Sequence, residues 1–64
     1  MENQIRYYRE YEGLSQREVA RRVLISSTEM SNIERGTRLP NVITAIRIAR
    51  VLKVTVEKLW EGQI

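Results

Sequence analysis

The chain has no cysteine, no histidine, no aspartate and no phenylalanine among its 64 residues, and only one proline. Without Cys or His there is no zinc finger, no thiolate cluster, no disulfide framework and no Ser-His or Cys-His catalytic pair. Carboxylate chemistry falls to eight glutamates, and nothing in the sequence sets a nucleophile beside a base. These absences point away from an enzyme, and no metal, cofactor or small-molecule ligand is expected. No apolar run approaches the length of a membrane span, and the charged N-terminus lacks the apolar stretch of a signal peptide. The expected compartment is the cytoplasm.

What is present fits one small helical domain over residues 1–64. Apolar residues make up 42% of the chain and the formal charge is +3. A core this small supplies only a few kcal/mol net, so well-capped helices or a partner are needed. The charge is uneven. Between Arg17 and Lys53 eight basic residues stand against three glutamates, a local charge of +5, while each flank carries −1. The middle of the chain is where a polyanion would bind.

Periodicity and punctuation predict five helices, at about 3–12, 15–23, 27–35, 42–52 and 56–61, and no strand. Ile5 and Tyr8 share a face of the first, and Gly13 is placed to end it in a left-handed conformation. Ser15 and Glu18 form an S-x-x-E capping box ahead of the stripe Val19, Ala20 and Val23. Ser26 and Glu29 repeat the pattern before a third helix whose inward residues are Met30 and Ile33, helped by Leu24 and Ile25 in the turn. After the loop from Gly36 to Pro40, Asn41 caps a fourth helix with Val42, Ala45, Ile48, Ala49 and Leu52 facing inward. Thr55 caps a last turn carrying Val56, Leu59 and Trp60. The architecture expected is all-α.

The second and third helices have the dimensions of a helix-turn-helix. Outward positions of the third are Ser27, Thr28, Ser31 and Asn32, where a helix built only for solubility carries Lys and Glu. Short polar side chains cost helix stability but approach base edges: Asn can bond adenine N6 and N7 together, and a Thr methyl packs on a thymine methyl. The segment LSQREVARRVLISSTEMSNIERG (Leu14 to Gly36), followed by a loop, Pro40 and the helix ITAIRIARVLKV, resembles the phage repressor/Cro (XRE-type) helix-turn-helix DNA-binding domain. The resemblance runs from about Ile5 to Trp60. It is carried most specifically by Leu14 to Gln16, Glu18 and Ala20, the Ser26 cap and the exit Ile33 to Gly36.

The resemblance implies a double-stranded DNA partner and a division of roles. Gln16 grips a phosphate at the positive end of the second helix. Ser27, Thr28 and Asn32 face base edges, with Ser31 beside them, while Arg35, Arg38 and Asn41 hold the backbone and fix register. Arg9 and Glu34 match the family's buried ion pair, a structural feature. Arg17 is grouped with the backbone contacts, although it and Arg21 also fit the description of plain solvated charges. Glu29 could reach a cytosine N4, but its capping position favours a structural role. Arg22 lies four residues after Glu18 and is placed for a weak surface pair. Two departures from the family pattern are Leu24 and Lys53, where glycine is usual. Leu24 implies either backbone strain or a turn built without positive φ.

One recognition helix discriminates too little to single out a site in a genome, so a homodimer on a palindromic operator is expected, with repression the expected outcome. Val56, Trp60 and Ile64, spaced at i and i+4, together with Ile43 and Ile46, are the candidate interface. Trp60 serves equally well as a plug for the core. The rival from another class is an antitoxin-like or adaptor module that binds a protein through Tyr7, Tyr11 and Trp60.

Overall fold

Local hydrogen bonding decides where each helix begins. In the computed structural model, which describes residues 1–64, the elements are α1 (Ile5–Tyr11), α2 (Gln16–Val23), α3 (Ser27–Arg35), α4 (Val42–Leu52) and α5 (Val56–Leu59), with no strand. Asn3 lies outside α1, where its Oδ1 accepts the Ile5 N–H at 3.0 Å. The Ser15 box is complete: Glu18 N–H donates to Ser15 Oγ and Ser15 N–H donates to Glu18 Oε1, each at 3.0 Å. Asn41 and Thr55 accept from Thr44 and Lys58 in the same way. The second box is only half formed. Ser26 Oγ accepts the Glu29 N–H, but the Glu29 carboxylate turns to Arg38, 3.5 Å away, because a cation from the following loop competes with a neutral backbone donor.

Helix ends depend on the left-handed region. Gly13 (φ +72°) and Gly36 (φ +84°) occupy it without a side-chain penalty, whereas Leu24 (φ +66°) and Lys53 (φ +61°) hold it as non-glycine residues. The turn between α2 and α3 therefore uses positive φ and carries strain. Leu24 is consequently turned outward, 75% exposed, and contributes nothing to the core it was expected to help.

The core is a single cluster in which Ile5, Val19, Val23, Met30, Ile33, Ile48, Leu52 and Leu59 are wholly or almost wholly buried. Burying a side chain of this size contributes about 1.5–3 kcal/mol. α2 packs on α3 and on α4, and α4 on α5. Val42 is not part of this core. It is 69% exposed, and Thr44 is buried in its stead, because the inward direction of α4 runs through Ala45, Ile48, Ala49 and Leu52.

Trp60 is core, 4% exposed. α5 stops at Leu59 instead of residue 61, since Trp60 leaves helical geometry (φ −115°, ψ 34°) and Gly62 has φ +89°. The expected helical stripe of Val56, Trp60 and Ile64 is thus not a helix face. All three nevertheless line one open apolar groove with Leu39, Val42 and Ala45. Ile43 and Ile46 lie exposed on the outer side of α4 and do not line that groove, so the candidate interface residues fall on two neighbouring surfaces.

Candidate nucleic-acid interface

The orientation of α3 follows from what its two faces carry. Met30 and Ile33 are fully buried against the core. At helical spacing this turns Thr28, Ser31, Asn32 and Arg35 outward together, with Ser27 on the edge of the same stripe. Ser27, Thr28 and Arg35 are exposed, and Ser31 and Asn32 are half-buried. Arg35 therefore shares the face of the short polar residues. Its guanidinium donates from Nη2 to Asn32 Oδ1, one turn back.

Three sets of contacts hold this helix in place. Arg9 grips Glu34 with two bonds of 2.9 Å and also donates from Nη1 to the Leu14 carbonyl at 2.8 Å, with side chains only 12% and 6% exposed. The hydrogen bond to Glu34 raises the pKa of Arg9, against an opposing effect of burial. At the same C-terminal end, Asn3 Nδ2 donates to the Ile33 carbonyl at 2.8 Å and the Met1 amino group donates to the Gly36 carbonyl. Finally, the Asn32 carbonyl accepts the N–H groups of Thr37 and Arg38 at 3.0 and 3.2 Å, which folds the loop back over the helix end. The backbone approaches closely here: a Cβ on Gly36 would stand 2.7 Å from the Met1 carbonyl oxygen. Asn3 and Met1 escaped sequence reasoning because their partners lie 30 and 35 residues away.

Of the other candidate contacts, Gln16 opens α2, Asn41 is the N-cap of α4, and Arg38 stands in the loop after α3, 60% exposed and paired with Glu29. Arg17, Arg21, Arg22, Arg47 and Arg50 are exposed. The weak pair expected between Arg22 and Glu18 does not form. The Glu18 carboxylate is occupied by the Ser15 N–H, which lowers its pKa, with the charges of Arg22 and Arg21 contributing less. A polar, short-chained helix face is suited to base edges, and exposed arginines and helix N-termini are suited to phosphates. No helix is long and apolar enough to cross a membrane.

A family model described as helix-turn-helix matches residues 5–59. The chain is 30% identical over 60 residues to an uncharacterised HTH-type transcriptional regulator of Methanocaldococcus jannaschii, a match covering 94% of this chain and 91% of that protein. It resembles the N-terminal DNA-binding domain of SinR from Bacillus subtilis with a TM-score of 0.82 at 28% identity, over 94% of this chain and 88% of that one. It also matches a chain of a SinR/SinI protein complex with a TM-score of 0.85 at 28% identity, over 94% of this chain and 59% of that one. The present chain thus spans about three-fifths of the chain in that complex. Five helices, an outward-facing third helix and these matches together place the chain in the XRE-type helix-turn-helix family of DNA-binding transcriptional regulators.

Proposed function

We propose that the chain is a repressor that binds a palindromic operator as a homodimer, with α3 in the major groove. The observation that carries this reading is the outward stripe of Ser27, Thr28, Ser31 and Asn32 on a helix capped by Ser26 at its start and held by Arg9 and Asn3 near its end. These four side chains read base edges. Gln16, Arg17, Arg35, Arg38 and Asn41 hold phosphates on either side and set the register. Repression needs no more than occupancy of the operator.

Dimerisation is supported by apolar surface that a monomer leaves open. Leu39, Val42 and Ile64 are largely exposed around the groove whose floor includes Trp60, and Ile43 and Ile46 extend the apolar area over α4. A second copy covering this surface presents two α3 helices to half-sites one turn, ~34 Å, apart.

The test is a panel of duplexes substituted one base pair at a time, titrated with the chain and with Asn32→Ala. Relaxed preference at one position per half-site supports base reading by Asn32; a uniform loss across the panel refutes it. Expression of the chain should lower transcription from a promoter overlapping the bound site, and a rise would contradict repression.

A further inference from the structure

Of the five residues assigned to the DNA backbone, Arg38 alone is paired with an acid: its Nε lies 3.5 Å from Glu29 Oε2. Arg35, by contrast, meets only the neutral carboxamide of Asn32. Both partners of the pair are fixed at the main chain. The Glu29 N–H donates to Ser26 Oγ at 3.0 Å. The Arg38 N–H donates to the Asn32 carbonyl at 3.2 Å, which also accepts the Thr37 N–H and Thr37 Oγ1 at 3.0 and 3.1 Å. Only the two side chains are left to adapt. Their contact is longer than a good charge-assisted hydrogen bond and partly in solvent, with exposures of 60% and 31%, so it adds little to folding and exchanges readily.

From this geometry we infer that Glu29 is a built-in competitor of DNA, a carboxylate that occupies the Arg38 guanidinium in the free chain and weakens its hold on a phosphate. A phosphate that reaches Arg38 either displaces the carboxylate or sits beside it as a like charge, and both outcomes cost affinity. Two like charges a few ångströms apart in water correspond to about a threefold change in binding. Glu29 acts through Arg38 and lowers affinity for every duplex alike, because phosphates carry no base identity. The inference rests on Arg38 holding the DNA backbone.

The experiment is a double-mutant cycle, in which the chain, Glu29→Gln, Arg38→Ala and the double variant are titrated at low salt against duplexes of different sequence. Glu29→Gln should bind all of them about threefold more tightly with base preference unchanged, and the gain should vanish when Arg38 is already alanine. A gain that persists in the Arg38→Ala background would show repulsion between Glu29 and DNA at large, and overturn the inference. Unchanged or weaker binding by Glu29→Gln would overturn it too, as would a change of preference confined to one base pair, the mark of a base contact. If Arg38→Ala binds as well as the unmodified chain, the backbone contact fails first and this inference falls with it. The Ser26 cap uses the Glu29 main chain, so Glu29→Gln keeps it, and thermal melting of all variants supplies the folding control.

Discussion

Arg9 and Glu34 are joined by two parallel hydrogen bonds, Nε to Oε2 and Nη2 to Oε1, each 2.9 Å, while Nη1 of the same guanidinium holds the Leu14 carbonyl at 2.8 Å. One side chain thereby fixes α1, the turn before α2 and the outward-facing helix relative to one another. Removing one partner strands a charge in a site that water hardly reaches. Glu34→Ala should lose about 3–5 kcal/mol in urea denaturation, and an apolar double replacement, Arg9→Met with Glu34→Leu, should recover most of it. A single variant within about 1 kcal/mol of the parent would mean that the pair is solvated.

Leu24 holds φ +66° with its side chain mostly in solvent. Leu24→Gly relieves the left-handed penalty without emptying the core and should gain about 1 kcal/mol. Lys53→Gly relieves a similar strain but loses the 3.5 Å contact with Glu12, so its gain in a thermal melt should be smaller. Unchanged melting temperature in Leu24→Gly would argue against strain in the turn.

Gly36 answers two demands at once, positive φ and the nearby Met1 carbonyl. Gly36→Ala should cost about 2 kcal/mol, more than Gly13→Ala, which meets the same φ penalty with open space around it. Equal losses in the two variants would show that the approach of Met1 contributes nothing.

The capping box of α2 has a pH signature. Hydrogen bonds from Ser15 lower the pKa of Glu18 in the folded state. Its contribution is fully present above the unfolded carboxylate value, about 4.3, and is lost as the pH falls through the lower folded value. Glu18→Gln should therefore show a smaller drop in melting temperature between pH 6 and pH 3 than the parent. Parallel profiles would exclude Glu18 as a source of the acid sensitivity.

Arg38 is exposed in the loop after α3, and Glu29 is its only ion-pair partner. If Arg38 holds the DNA backbone as proposed, a phosphate replaces that partner. Arg38→Ala should flatten the dependence of log K on log salt by about one unit per site while leaving base preference intact. An unchanged slope would remove Arg38 from the backbone contacts.

Much of the fold was legible because its signals are local. The Ser15–Glu18 box, the caps at Asn41 and Thr55 and the Val19, Ala20, Val23 stripe each involve residues within a few positions of one another. The misreadings arose where a distant group intervened. Arg38 drew Glu29 out of its box, the packing of α4 moved Val42 outward, and Trp60 was settled as core only by tertiary contacts. The polar face of α3 could be read from residue type, but Arg35 belongs to the same stripe as Thr28 and Asn32, which spacing alone could have revealed. The grip of Asn3 on Ile33 left no trace in the pattern, because it depends on the N-terminal segment crossing the end of α3.

In the proposed function, α3 chooses a DNA sequence. Selection of bound duplexes from a random pool tests it most directly, read at moderate salt so that non-specific phosphate attraction is suppressed. Base reading by a homodimer should enrich a two-fold symmetric sequence with half-sites about one helical turn apart. A pool that stays random after repeated rounds, with the folded chain still binding duplex only through charge, would contradict it.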